Sequence, residues 1–529
     1  MEPLWLAIAF LFGFGARRMG LPPLVGYLIA GFVLHALGVR SGGIVDQIAD
    51  VGVLLMLFSI GLKLQLRTLA RPVIWAGATI HMLLTVVGLG AAVLGLAAVG
   101  LPVFAGLDAT QSLLIAFALS FSSTVFAVKV LEDKGEVSSQ HGKTAIGILI
   151  MQDVVAIVFL TASKGELPSP WAIALVAGLV LVRPLLARLM ERCGHGELLL
   201  LYGLVLTLGA AALFDVVGLK PDLGALVIGA LLAQQARASE LAKTLLDVKD
   251  LLLVGFFLSV GLAGAPTLAA LGVAVLLCLA VPLKTALFFW LLCRFRLRAR
   301  NAFLTSLLLA DYSEFGLIVG AVSYKAGWIP SEWLVILAIA VAITFIAASP
   351  LNGSAHSTYD RLRARLNRIE MDKPLPEDAP IDPGQTEVLV VGMAPVGEQA
   401  YDTLRGEFGD RVVGLERNPE RVSAQRRAGR NVILGDSTDL GLYERIEKHG
   451  DLRLVLLTLP NHQENLTTAR LLRSRGFKGV LAAMARHHDE VRELRDAGVQ
   501  AAFNLSHEAG TGFAQHALEV AEAERGVSS

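Results

Sequence analysis

Two stretches of this 529-residue chain, Pro72–Leu107 and Leu251–Leu283, contain no Asp, Glu, Lys or Arg. A helix needs about 20 apolar residues to cross the hydrocarbon of a bilayer, where every backbone N–H and C=O must be bonded within the protein. Runs of this length restrict the first two thirds of the chain to bundled helices in lipid. Charge divides the chain in the same way. Residues 1–351 carry 23 basic and 19 acidic side chains, so 12% are charged, whereas residues 352–529 carry 23 and 27, or 28%. A soluble domain carries about 25%. The first part is built for lipid and the second for water, which excludes a single soluble enzyme, a disordered chain and a small secreted domain. A net charge of zero gives no electrostatic footprint for nucleic acid. Cys193, Cys278 and Cys293 show no metal or redox spacing and read as packing residues.

Apolar runs and helix breakers place spans near residues 4–17, 23–38, 47–62, 72–99, 111–131, 144–162, 169–189, 197–215, 223–236, 250–264, 267–293, 301–325 and 331–350, thirteen in all. With the N-terminus outside, the inner loops and span ends collect 18 Lys and Arg, and the outer ones only Arg40, Lys164, Lys220 and Lys325. That bias orients the hydrophilic tail toward the cytoplasm. Met1-Glu2-Pro3 lacks the basic start of a signal peptide, so the first span is expected to be retained.

A charge at bilayer depth costs at least a few kcal/mol and needs a partner or a task. Four such residues stand out: Asp153, beside Gln152 in an otherwise apolar segment, Lys284, and the pair Asp311 and Glu314 around Tyr312-Ser313. A staple between helices is the alternative to a functional role for each. The fifth span is interrupted by Ser120, Ser122, Ser123 and Thr124, whose hydroxyls can bond the backbone and permit an unwound helix. Asp311 to Glu314 interrupts the twelfth span in the corresponding place. Paired interruptions in two halves are the mark of an inverted repeat with an ion site at discontinuous helices. Asp108, Asp215 and Asp222 fall at span ends and read as solvated residues, and His81 as a hydrogen-bonded core residue. A ligand-gated cation channel would need a carbonyl filter such as T-V-G-Y-G, which is absent. A membrane-tethered nucleotide sensor would leave Asp153 and Lys284 without a task.

At these residues the chain resembles the cation:proton antiporter-2 family, in particular the Kef-type potassium:proton antiporters. The likeness runs through Leu21–Gly31, Val51–Leu62, Ser122-Ser123-Thr124, Gln152-Asp153, Phe256–Leu262, Lys284 and Ser313-Glu314-Phe315. It implies that Asp153 binds a cation and a proton in alternation, with Gln152, Ser123 and Thr124 shaping the site. Lys284 would interact with that carboxylate, and Glu314, beside Asp311, would stabilise the crossing of two broken helices. The cation implied is K⁺, with Na⁺ as the alternative, in a homodimer of the bacterial inner membrane. A single carboxylate in the site favours one cation per proton.

Beyond a charged, Pro-rich linker over 352–386, with an amphipathic helix near Tyr359–Ile369, apolar strands and helical segments alternate over 387–506. The pattern predicts a doubly wound, Rossmann-like parallel sheet, followed by a helical tail over 507–529. The turn after the first strand reads Gly392-Met-Ala-Pro-Val-Gly397 where the dinucleotide fingerprint has G-x-G-x-x-G, and Glu416 follows Gly397 by 19 residues, about where an acid holds a ribose. The segment resembles the TrkA-N (RCK or KTN) regulatory domains of Kef antiporters, including Gly435-Asp436-Ser437-Thr438. The resemblance implies a bound AMP or NAD(H) as regulator, near Gly392, Ala394, Gly397, Glu416, Asp436 and Ser437. Ala394 stands in place of the middle glycine and Pro395 in place of the family's arginine. This degraded loop favours an adenosine monophosphate moiety and argues against the glutathione gating of the family. No catalytic cluster accompanies it, so the chain reads as a transporter and not an enzyme.

Overall fold

The computed structural model describes residues 2–19, 21, 23–39, 44–62, 69–134, 136–137, 139–162, 171–194, 196–219, 221–235, 237–262, 264–371, 373–375, 386–435, 437, 452–474, 476–505, 507–511, 513–515 and 517–518. The chain divides into two compact units, Met1–Val128 with Thr144–Asp372, and Lys129–Lys143 with Lys373–Ser529.

In the first unit the apolar segments are helical. Pro72–Ala98, Ala109–Glu132, Gln140–Phe159, Glu197–Val216, Leu268–Arg294 and Ser331–Gly353 are long and apolar enough to cross a membrane by length and composition. Three of the expected spans are each two helices. The first break separates Ala109–Ser120 from Thr124–Asp133, the second Leu268–Cys278 from Val281–Arg294, and the third Ala299–Leu308 from Glu314–Lys325. Asp108, read as merely solvated, is exposed but caps its helix: its side chain accepts from the Gln111 N–H at 2.7 Å, and Gln111 returns a bond to the Asp108 N–H. The segment expected at 250–264 belongs to a longer helix, Ala238–Leu262. Its first turns are amphipathic, with Leu241, Ala242 and Leu245 fully buried, a pattern that a search for uncharged runs passes over.

Close crossings fix the bundle. A Cβ on Gly61 of Ile44–Leu62 would lie 2.4 Å from the Leu226 carbonyl oxygen and 2.9 Å from the Gly229 Cα. A Cβ on Gly31 of Pro23–Ala36 would lie 2.7 Å from the Leu258 oxygen and 2.8 Å from the Gly261 Cα. Small residues on both sides let backbones touch, the usual device for packing helices in lipid. The expected linker begins as ordered helix: Ala355–Leu366 and a 3₁₀ turn over Asn367–Ile369 follow Ser331–Gly353, and Tyr359 is buried.

The second unit holds a six-stranded parallel sheet in the order β3-β2-β1-β4-β5-β6: β1 Val388–Val391, β2 Val412–Glu416, β3 Val432–Leu434, β4 Leu454–Leu457, β5 Val480–Ala485 and β6 Ala501–Asn504. β1 is central, Val388 facing both Val412 and Leu454, and all four of its residues are buried. Burial on both faces explains why it reads as an unbroken apolar run. Helices Pro395–Phe408, Pro419–Arg427, His462–Ser474 and His488–Asp496 supply the crossovers. Residues 507–511, 513–515 and 517–518 are helical. Also in this unit, the turn joining Thr124–Asp133 to Gln140–Ala162 is held by a buried cluster, with His141 Nε2 3.1 Å from Glu136 Oε2 and the Ser139 hydroxyl donating to the Glu136 carbonyl.

Candidate functional site

Phe121–Ser123 is extended rather than helical, as its hydroxyls suggest, and leaves the helix ends of Ala109–Ser120 and Thr124–Asp133 without continuous partners. The gap between Ala299–Leu308 and Glu314–Lys325 does the same on the other side. Side chains from each gap satisfy the other. The Ser123 N–H donates to Asp311 Oδ1 at 3.0 Å and the Ser123 hydroxyl to Glu314 Oε2 at 2.8 Å. The Ser122 hydroxyl donates to the Leu309 carbonyl at 2.9 Å. Ser313 caps its own half-helix by accepting from the Phe315 N–H. The two half-helices meet where Gly316 faces Ala118: a Cβ there would lie 2.2 Å from the Ala118 oxygen.

Helix Gln140–Ala162 brings the remaining carboxylate. Asp153 is 1% exposed, and its Oδ2 accepts from the Thr124 hydroxyl at 3.2 Å, at the first turn of a half-helix. Gln152 Oε1 accepts from the Ser122 N–H at 2.9 Å. Three carboxyl-bearing groups, Asp153, Asp311 and Glu314, thus lie at the N-terminal end of Thr124–Asp133, where the helix dipole favours negative charge. Among the described residues, Asp311 Oδ2 is buried with no hydrogen-bond partner.

The Lys284 ammonium donates to the Phe121 carbonyl at 2.6 Å and to the Asp311 carbonyl at 2.8 Å. The cause is local: both unwound segments present carbonyls freed from helical bonding, and a buried cation satisfies one from each. The Tyr312 ring lies 5.2 Å from the same ammonium, and its hydroxyl donates to the Leu277 carbonyl. A cavity of about 330 Å³ is lined by Leu84, Leu119, Leu283, Lys284 and Tyr312. Thr85 also lines it, and the remaining walls are largely apolar. His81 is fully buried, with Nε2 3.1 Å from the Lys284 carbonyl oxygen and its ring stacked on Phe288, as a core residue should be.

The structure therefore brings Asp153, Gln152, Ser123, Thr124, Lys284, Asp311 and Glu314 to one pair of helix breaks. Sequence reasoning passed over Ser122 as a cross-link, although it lies in the same hydroxyl run. It also passed over the Phe121 and Asp311 carbonyls, for which a sequence has no symbol.

In the second unit, Gly392 leaves β1 at φ +95°, and a Cβ on Gly397 would fall 1.8 Å from the Gly392 oxygen. Both fingerprint glycines are thus required for the turn and the helix to pack. Ala394 caps Pro395–Phe408, and Pro395 removes one N–H from the end that would face a pyrophosphate. Glu416 ends β2, and its carboxylate accepts from the Met393 N–H at 3.1 Å, the Asn418 N–H at 2.9 Å and Arg421 Nη1 at 3.2 Å. Glu416 thus stands at the carboxyl end of β2 beside the turn after β1, where Pro395 offers no N–H. Ser437 is buried and accepts from the Thr468 hydroxyl at 3.1 Å. Asp436 lies outside the described residues.

Residues 6–352 match the family described as sodium/hydrogen exchanger, transmembrane, and residues 388–505 match the TrkA-N domain. The chain is 30% identical over 513 residues to the glutathione-regulated potassium-efflux system protein KefC of Cronobacter sakazakii, covering 92% of this chain and 79% of that protein. The protein of the same name from Salmonella typhimurium is 30% identical over 511 residues with the same coverage. Among solved structures, the sodium proton antiporter MjNhaP1 from Methanocaldococcus jannaschii is 14% identical, covering 67% of this chain and 96% of that one at a TM-score of 0.47. The TrkA-N domain of the Escherichia coli inner membrane protein ybaL is 20% identical, covering 25% and 96% at a TM-score of 0.23.

Proposed function

Because the chain belongs to the sodium/hydrogen exchanger family and carries a TrkA-N domain, we propose that it exchanges K⁺ for protons at Asp153 under the control of its cytoplasmic domain. The observation that carries this reading is a buried carboxylate placed at a helix break by a hydroxyl of that break. In such a site a carboxylate is neutralised by a proton or by a monovalent cation, and both together are unfavourable. Competition for one group couples the two fluxes without any further device.

The remaining residues take roles around that group. Thr124 orients it, while Gln152 and Asp311 hold the Ser122 and Ser123 N–H groups of the same break. Glu314, through Ser123, ties one broken helix to the other. Lys284 neutralises the carbonyls of both breaks and keeps them in register. Alternating access then moves the paired breaks as one body relative to the Gly-rich crossings around Gly61 and Gly229. The reading includes a homodimer, an N-terminus outside and a mononucleotide as regulator, with Na⁺ as the second cation to be tried.

Proton flux in proteoliposomes carrying a pH dye tests the assignment, with K⁺, Na⁺ or Li⁺ added to wild type and Asp153→Asn. A cation-dependent pH change in wild type and none above protein-free vesicles in a folded Asp153→Asn is the expected result. Undiminished exchange in that variant removes Asp153 from the mechanism.

A further inference from the structure

Arg417 and Glu464 form an ion pair in the sheet unit. Arg417 directly follows β2, and Glu464 lies in the first turn of His462–Ser474, which follows β4. β2 and β4 each pair with β1 and not with one another, and all three strands run parallel. A contact between their carboxyl ends must pass over the end of β1, in front of Gly392 to Pro395. This is the switch point of the sheet, the crevice where doubly wound folds receive a phosphorylated ligand. Here it is spanned by the protein itself: Arg417 Nη2 lies 2.6 Å from Glu464 Oε1 and 2.5 Å from Oε2. The carboxylate is nearly enclosed, its side chain 4% exposed against 17% for the arginine.

We propose that Arg417 is the phosphate-binding group of the cytoplasmic domain and Glu464 its built-in competitor, so that a nucleoside monophosphate enters by taking the guanidinium from the carboxylate. The inference rests on the reading that this domain binds a nucleotide. Three observations select the ligand. Glu416, adjacent to Arg417, sits where a ribose is held, so a phosphate ester carried by that ribose comes within reach of the arginine. A terminal phosphate presents several charged oxygens to a guanidinium, which binds such groups in bidentate fashion. The bridging pyrophosphate of a dinucleotide relies instead on the glycine-loop backbone, and there Ala394 and Pro395 remove the close approach and one N–H. Glu464 opposes any anion in the crevice and lowers affinity until it is displaced.

Calorimetric titration of the full-length protein in detergent with AMP, ADP and NAD tests this in wild type, Glu464→Gln and the double variant Arg417→Gln/Glu464→Gln. Removing the competitor should tighten AMP about tenfold, the order expected when a charge-assisted pair no longer has to be broken. The double variant, which leaves neither charge buried alone, should lose that gain, and NAD should bind more weakly than AMP throughout. AMP affinity unchanged in Glu464→Gln, a double variant as tight as the single one, or NAD tighter than AMP in wild type overturns the proposal. Binding of none of the three to any variant overturns it together with the nucleotide part of the proposed function, whereas AMP binding indifferent to both substitutions overturns the roles of Arg417 and Glu464 and leaves the nucleotide reading standing. Should Glu464→Gln melt early, Glu464→Asp decides: an intermediate gain supports the competitor, and no gain overturns it.

Discussion

Each polar group at the helix breaks answers to a backbone vacancy. Lys284 carries the clearest consequence, since its ammonium is shared by the Phe121 and Asp311 carbonyls. Lys284→Met should cost about 1–3 kcal/mol for the acceptors left buried and unbonded. The loss should appear as a lower melting temperature in detergent, equally with and without K⁺; an unchanged melting temperature would show those carbonyls to be satisfied otherwise. Thr124→Val should abolish cation-dependent flux and Thr124→Ser retain it, because only the hydroxyl reaches Asp153. Asp153, Lys284, Asp311 and Glu314 were legible in the sequence because charge in an apolar run demands an explanation. Their partners were less so. That Lys284 bonds the Phe121 and Asp311 carbonyls depends on where two helices stop, and residue types alone do not record this.

Helices and strands were recovered where one periodicity or one apolar run dominated, as in β1, and misjudged where signals mixed. Ala238–Leu262 was shortened because its charged first turns hide a buried face, and Leu268–Arg294 was read as one helix because nothing polar marks its break. The crossings give firm expectations. Gly316→Val must displace the Ala118 carbonyl and should separate the broken helices, eliminating flux in vesicles. Gly61→Leu and Gly229→Leu should each lower the detergent melting temperature, since both meet backbone rather than flexible side chains. In the sheet unit, Arg430 donates to both oxygens of Asp402, at 2.8 and 2.6 Å, and holds that carboxyl below the usual carboxylate range. A depressed pKa contributes stability above about pH 4 that fades as the pH falls through the native value. Asp402→Asn should therefore lower the melting temperature slightly at pH 7, the pair being partly exposed, and leave it unaltered near pH 2.

The lipid and water halves were separable from charge alone, and the doubly wound sheet from its alternating pattern. The state of the crevice was not, because Arg417 and Glu464 stand 47 residues apart and only the strand order brings them together. Cyclic exchange also has an electrical side. Asp311 and Glu314 each commit an oxygen to Ser123, while Lys284 stays fixed on the backbone, so only Asp153 changes its cargo in the proposed cycle. One monovalent cation outward for one proton inward moves no net charge. Such a cycle takes nothing from the membrane potential, which would otherwise supply about 2.3 kcal/mol per charge per 100 mV. Valinomycin clamping of proteoliposomes at different voltages should leave the flux of Na⁺ or Li⁺, if either is carried, unaltered at a constant pH gradient. The direction of transport would then follow two concentration ratios only, and a cell could depolarise without reversing it.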